Sequence, residues 1–562
     1  MSISETVATD TWVQIAQKKR EEQQSRIPRE WKIPTPTGVF RPLDVIEDSG
    51  LMSAEEIEWT NPDKDATTTL ELISSGNVTT EQLITAFCKR AAIAQAATNC
   101  LTEITFTEAI QRAKELDEHF KRTGQLFGPF HGLPLSVKDH MDVKGLDSSA
   151  GISSLCFDPA KDNSKLVQVL IDNGAIVIAK TNVPQTCLTA DSINQVFGRT
   201  LNPYNSSFGA SGSSGGEGAL ISMGGSLLGL GSDGAGSIRM PAAASGIVGY
   251  KPSGYRLPTD GRAMFGDGII GITILGPVPV FGFMGRSVRD MRVASKLVCD
   301  QKLWEVDPFI YPSPWLGITI ARPRIGVWKM DAPNAYLHLH APVKRGFLVA
   351  QDRLRRAGIE LVDFNAPDVS HVWETGREWL EIQGLYNLRR YLENEPYTQS
   401  VLNTGIMIPA KPDPPLTVEY LHDLNKRIGR LAYEMTIAWM ASGKAIDALL
   451  WVAAPHTALP FDEWTDTTYT SMFNAIDWPA ITLPLNMFSD KNLDLKEEVT
   501  PYNELDAKIQ NIYDPEAFDG LPLAVQLIGR RFEDERLLAV AEEIHPILVG
   551  SGAVALDAHP LL

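Results

Sequence analysis

Within the Gly/Ser-rich segment from Ser206 to Pro241, SSFGASGSSGGEGALISMGGSLLGLGSDGAGSIRMP, serine hydroxyls stand beside sterically open backbone. The turn GAGSIR offers successive N–H groups from Gly234, Ala235 and Gly236, followed by the hydroxyl of Ser237. Small residues let a carbonyl oxygen touch backbone donors, so the pattern suits an oxyanion-binding nest beside a hydroxyl nucleophile. Upstream, Leu133, Leu135 and Val137 in LPLSVKD alternate as a strand does and deliver Lys138 to its end. A serine needs a base before it can attack a carbonyl, and a lysine with a pKa depressed by burial can serve.

Other uses of the segment fit less well. A linker would not resume apolar periodicity directly after Gly216. A phosphate-binding loop would carry a lysine that is absent here, and no G-x-G-x-x-G falls between a strand and a helix. Gly212-Ser213-Ser214-Gly215-Gly216 satisfies G-x-S-x-G formally. That elbow requires a strand directly before its serine, whereas NPYNSSFGAS reads as turn.

The elements that must position these residues alternate in type. WVQIAQKKREEQQSRI has helix-forming composition and precedes an extended, proline-containing stretch. TTLELISSGNVTTEQLITAFCKRAAIAQAATN holds two helices, the second opening on the capping-box pattern TTEQ. SKLVQVLIDNGAIVIAKTNVPQ reads as a helix stopped at Gly174 and then a buried strand, and HAPVKRGFLVAQDRLRRAGIELVDF repeats that unit. This alternation predicts an α/β fold with a largely parallel central sheet. EGALISMG is expected to be a short helix, and SLLGLGSD a buried strand whose Gly229 and Gly231 admit another backbone. SDKNLDLKEEVTPYNELDAKI is polar enough to be a surface excursion. The division expected is a helical arm over residues 1–75 and a catalytic body over 76–562.

A chain of 562 residues, 44% hydrophobic, can bury a large core. Its formal net charge of -18 and scattered basic residues argue against nucleic acid or an anionic membrane as partner. The five cysteines form no CxxC pair and no disulfide framework is expected. No signal-peptide pattern and no apolar run of spanning length is present, which points to a cytoplasmic protein. The longest apolar stretch, GDGIIGITILGPVPVFGFMG, is broken by Gly and Pro and reads as strands and turns.

GSSGGEGA, GLGSDGAGSIRMPAA and the upstream GLPLSVKD together resemble the amidase signature family. FCKRAAIAQAATNC, AKTNVPQT, FGRTLNP and DPEAFDGLPLAVQLIGRR extend the likeness over about residues 10 to 545, most closely to fungal acetamidases and general amidases and more distantly to fatty-acid amide hydrolases. The resemblance implies an α/β/α sandwich around a twisted mixed sheet and hydrolysis of a carboxylic amide through an acyl-enzyme. Ser237 matches the family's nucleophile, Lys138 its base, and Ser213 the bridging serine that follows a cis peptide bond. Gly234, Ala235, Gly236 and the Ser237 N–H match the oxyanion turn, and the Cys187 backbone falls where a carbonyl meets substrate. Ser214 is assigned to orienting its neighbours, and Asp233 with Arg239 to an ion pair beneath the site. A small-molecule amide is the implied partner, with no cofactor and no metal; a homodimer is compatible.

Two departures stand out. The family usually has a branched residue and Gly-Gly before the nucleophile, where this chain has Gly234-Ala235-Gly236, and Ala210-Ser211 precede the serine doublet. The Ala235 methyl is expected to strain the turn if that position takes positive φ. Met472, Phe473, Ile476 and Trp478, with the apolar segment after Met264, suit either pocket walls or core. His338 and His340 sit two apart, on one face if extended, a bare metal hint; His131 and His140 flank the lysine motif. An esterase or carbamate hydrolase, an anion-binding protein and a transamidase-type subunit are the alternatives. The long N-terminal arm disfavours the last.

Overall fold

The computed structural model describes residues 11–550 except 262–278, 331–335, 373, 377, 379–384, 405–416, 441–444 and 464–466. The segment after Met264 therefore lies outside the described residues, apart from its final strand.

Fifteen strands are described. β1 (Leu101–Ile104), β2 (Pro134–Lys138) and β3 (Ile176–Thr181) come first. Two short ribbons follow, β4 (Ile193–Asn194) with β5 (Gly198–Arg199) and β6 (Leu201–Asn202) with β7 (Asn205–Gly209). β8 (Leu228–Asp233), β9 (Val248–Lys251) and β10 (Val280–Gly285) follow the Gly/Ser-rich segment or lie within it. β11 (Arg324–Trp328), β12 (Glu360–Phe364), β13 (Ala448–Trp451), β14 (Ala480–Phe488) and β15 (Pro522–Ile528) complete the set.

Eleven of these form one sheet in the order β1-β3-β2-β8-β10-β9-β14-β15-β13-β11-β12. Parallel pairing is confined to β3-β2-β8 at one end and β13-β11-β12 at the other. Everything between is antiparallel, and so is edge strand β1. The sheet is thus mixed, as the family resemblance implied, and not largely parallel as the alternation of elements predicted. The helix–Gly–strand units produce the parallel ends, while the strands between them pair antiparallel, such as β9 against β10.

Local chemistry sets several boundaries. Thr79 and Gln82 close the expected capping box on the helix Thr80–Thr98. Gly174 ends Lys165–Asp172 with φ +98, and a Cβ there would come within 2.8 Å of His131 Cα. The helices Phe106–Thr123, Gly215–Ser222, Val288–Asp300 and Asp534–Leu548 pack on β3, β8, β10 and β14. The arm shares its core with the body: Ile27, Trp31, Ile46 and Met52 join one cluster with Phe106, Ile104 and Ile178. Its first helix, α1 (Trp12–Ser25), lies along β1. The expected excursion is only partly superficial, since it ends in the helix Glu504–Ile512 with Asp506 fully buried.

No described helix is long and apolar enough to cross a membrane. All five cysteines are unpaired.

Candidate active site

Strand β2 places Ser136 and Lys138 on one face, two residues apart, with β3 and β8 on either side. Lys138 is fully buried, and its Nζ lies 2.7 Å from Ser213 Oγ and 2.8 Å from Ser232 Oγ. Burial pushes its pKa down to about 8, against the pull of the nearby acids Asp233, Glu217 and Asp139.

Ser213 follows a cis Gly212–Ser213 bond just ahead of the helix Gly215–Ser222. Ser214 ties the two serine segments together: its N–H donates to the Ser237 carbonyl at 3.1 Å, and its hydroxyl to the Ser232 carbonyl at 3.4 Å. No hydrogen bond joins Ser213 Oγ to Ser237 Oγ, and Ser237 is half-buried at the head of the helix Arg239–Ala244.

The turn from Asp233 to Arg239 is built on a buried ion pair. Arg239 Nη2 and Nε donate to the Asp233 carboxylate at 2.9 and 3.0 Å, and both side chains are inaccessible. Burial alone raises the Asp233 carboxyl, but Arg239 more than offsets it and holds the group well below the usual carboxylate range. The carboxylate in turn accepts the N–H of Gly236 at 2.8 Å and of Ile238 at 3.1 Å.

Here the geometry differs from the expected run of three free donors. The Gly236 N–H is committed to Asp233, because an ionised carboxylate beneath the turn outcompetes other acceptors. Those of Ala235 and Ser237 find no acceptor among the described residues. Gly236 takes the positive φ, +127, and Ala235 does not, so the Ala235 methyl adds no backbone strain.

Four contributors were not apparent from sequence. Ser232 is the second partner of Lys138. Thr470 Oγ1 donates to the Ala235 carbonyl at 2.7 Å, and Asn474 Nδ2 bonds both the carbonyl and the carboxylate of Asp233 at 3.0 Å. Glu217 is buried under Lys138, accepting from Ser136 Oγ at 2.6 Å and Thr181 Oγ1 at 2.8 Å. Burial raises its pKa to about 8. The glycines of β8 make room for side chains, not for another backbone. A Cβ at Gly229 would lie 2.1 Å from Glu217 Oε2, and one at Gly231 would lie 2.9 Å from Ile238 Cγ1 and 3.1 Å from Ser214 Oγ.

Of the other singled-out residues, Cys187 lies near Lys138 and the rest fall away from this centre or behind it. Cys187 is half-buried with φ +59 in the turn after β3, and burial pushes its thiol up to about 12. Met472, Phe473, Ile476 and Trp478 are all buried members of the main core. His338 and His340 lie outside any strand; His338 Nδ1 meets Asp506 at 2.5 Å and His340 Nε2 meets the Ile509 carbonyl at 2.8 Å. His131 is fixed between the Phe127 N–H and Thr80. Among the described residues no cluster of three or more His, Cys, Asp or Glu side chains is placed to hold a metal ion.

Comparison with known proteins agrees with this architecture. The Amidase family model matches residues 82–538. An acetamidase of Emericella nidulans is 33% identical over 96% of this chain and 98% of its own length. An amidase of Gibberella moniliformis is likewise 33% identical over 96% of this chain and 99% of its own. Among solved structures, a fatty acid amide hydrolase superposes with a TM-score of 0.89 at 29% identity, covering 96% of this chain and 95% of the other. The chain belongs to the amidase signature family and is an amide-hydrolysing enzyme.

Proposed function

We propose that the enzyme works through an acyl-enzyme at Ser237, with Ser213 as proton relay and neutral Lys138 as base. The observation that carries this reading is the 2.7 Å contact between a fully buried Lys138 Nζ and Ser213 Oγ, in a segment tied through Ser214 to Ser237, whose own N–H finds no acceptor among the described residues. Lys138 accepts the Ser213 proton as Ser213 accepts that of Ser237, and Ser237 Oγ attacks the amide carbon. The N–H groups of Gly234, Ala235 and Ser237 receive the oxyanion. Gly236 contributes the turn rather than a donor. Collapse breaks the C–N bond, and the proton returns through Ser213 to the departing nitrogen. Water then repeats the sequence on the acyl-enzyme. The relay requires Ser213 Oγ and Ser237 Oγ to close on each other, and catalytic hydrogen bonds commonly tighten as substrate binds.

Supporting roles follow from position. Ser232 fixes the Lys138 amine, Ser214 holds the serine segments in register, and the Asp233–Arg239 pair sets the turn. The Cys187 carbonyl orients the substrate amide. Residues 1–75 serve as an arm on the catalytic body 76–562, and unpaired thiols suit a cytoplasmic location.

The pH dependence tests the base. A lysine acts as base only when neutral, so kcat/KM is expected to fall as pH drops through about 8. Below that limb, loss of one required deprotonation costs about tenfold per pH unit. A limb near the ordinary histidine range, lost on substitution of a histidine, would point to a different base.

A further inference from the structure

The arm is tied to the catalytic lysine by buried charge. Along α1 the buried residues are Ala16, Lys19 and Gln23, at helical spacing, and two of the three are polar. Gln23 Nε2 donates to the Leu101 carbonyl at 2.7 Å, covering edge strand β1. Lys19 is only 3% exposed, and its Nζ lies 2.5 Å from Glu103 on β1, 2.6 Å from Asp147 and 2.9 Å from Glu22. A buried lysine among carboxylates is costly to desolvate, so its surroundings must hold it firmly.

Asp147 opens a loop, residues 147–150, that packs against Asp139, the residue just after β2. The Asp147 side chain also accepts the Phe157 N–H at 2.6 Å, and its carbonyl and the Ser148 hydroxyl accept from Lys180 Nζ at 2.5 and 2.9 Å. Ser149 Oγ and the Ala150 N–H then donate to Asp139 Oδ1 at 3.0 and 2.5 Å. Asp139 directly follows Lys138. The Ala150 carbonyl accepts the Thr186 N–H at 3.0 Å, which reaches the turn that carries Cys187. One loop thus connects α1 both to the catalytic lysine and to the turn beside it.

We infer that Lys19 is a positioning residue for the hydrolysis: by neutralising Glu103 and Asp147 it clamps the 147–150 loop and so fixes the end of β2 that presents Lys138. This rests on the assignment of Lys138 as base. Glu103 makes the clamp's importance concrete, since burial raises its pKa to about 7 even with Lys19 beside it. Without that cation only Lys180 is left to offset the two carboxylates, and the loop loses its tie to α1.

The test uses the full chain with Lys19→Met, Lys19→Arg and the double variant Lys19→Met/Glu103→Gln, well below their unfolding temperatures. Lys19→Met is expected to lower kcat and the rate constant for fluorophosphonate modification by roughly 10- to 100-fold, as small misplacements of catalytic groups do, with KM nearly unchanged. Lys19→Arg restores most of both, because the charge returns. If Lys19→Met does not fold, the double variant removes the stranded carboxylate yet still lacks the tie to Asp147, so the same loss is expected. A folded variant with a lowered melting midpoint but unchanged kcat and modification rate overturns the inference and makes Lys19 a purely structural clamp. Full activity in Lys138→Ala would instead overturn the assignment on which it rests.

Discussion

Lys138→Ala will lose far more activity toward amides than toward matched esters. Neutral Lys138 has two tasks in the proposed route: it removes the serine proton, and it returns one to the leaving nitrogen. An amine anion cannot leave, whereas an alkoxide can depart with little help. General acid–base assistance is worth about 10²–10⁴-fold per proton transfer, so the amide-to-ester ratio of kcat/KM is expected to fall within that range. The substitution also strips Ser213 and Ser232 of their shared partner at 2.7 and 2.8 Å, which adds to the loss for both substrates. Steady-state kinetics on an acyl-matched amide and ester pair measure it. Equal losses would restrict Lys138 to activating the nucleophile.

Gly236→Ala should disable the oxyanion turn while leaving the protein folded. The backbone at Gly236 has φ +127, which an L side chain rarely adopts. An added Cβ would sit 2.3 Å from Thr470 Oγ1 and 2.8 Å from Thr470 Cβ. Thr470 cannot simply move aside, because its hydroxyl holds the Ala235 carbonyl at 2.7 Å and the Thr467 carbonyl at 3.0 Å. The peptide between Ala235 and Gly236 must therefore rotate, taking the neighbouring donors off target. Losing one oxyanion donor costs about 10²–10³ in kcat, and a loss of that order with near-wild-type KM is expected. A fall below tenfold would show that the nest does not depend on this peptide.

What the sequence made legible is what local chemistry determines. The capping box at Thr79, the stop at Gly174 and the delivery of Lys138 to a strand end all depend on neighbours a few residues away. The Asp233–Arg239 pair was legible for the same reason. What escaped depends on register between distant segments. Glu217 meets Ser136 and Thr181 only because the helix Gly215–Ser222 lies across β2, β3 and β8. Its one signal in the sequence was an acid amid small and apolar residues, beside a strand with two glycines. Ser232 was read only as part of the buried strand SLLGLGSD, and its hydroxyl is a partner of Lys138 on the adjoining strand. Thr470 and Asn474 come from more than 200 residues downstream of the turn they support, as their separations of 235 and 241 show. The antiparallel middle of the sheet was likewise invisible, since strand direction depends on the return path and not on the strand's own residues. The free Gly236 donor was overcounted because Asp233 was assigned to Arg239 alone, although a carboxylate has capacity for backbone donors as well.

In the proposed route Ser237 carries the acyl group. Reaction with a fluorophosphonate, followed by peptide mass mapping, tests it most directly. A single adduct on Ser237, proportional to lost activity, is expected, with a marked slowing of its formation in Lys138→Ala. An adduct on Ser213 or Ser214 in the active enzyme, with Ser237 unmodified, would contradict it.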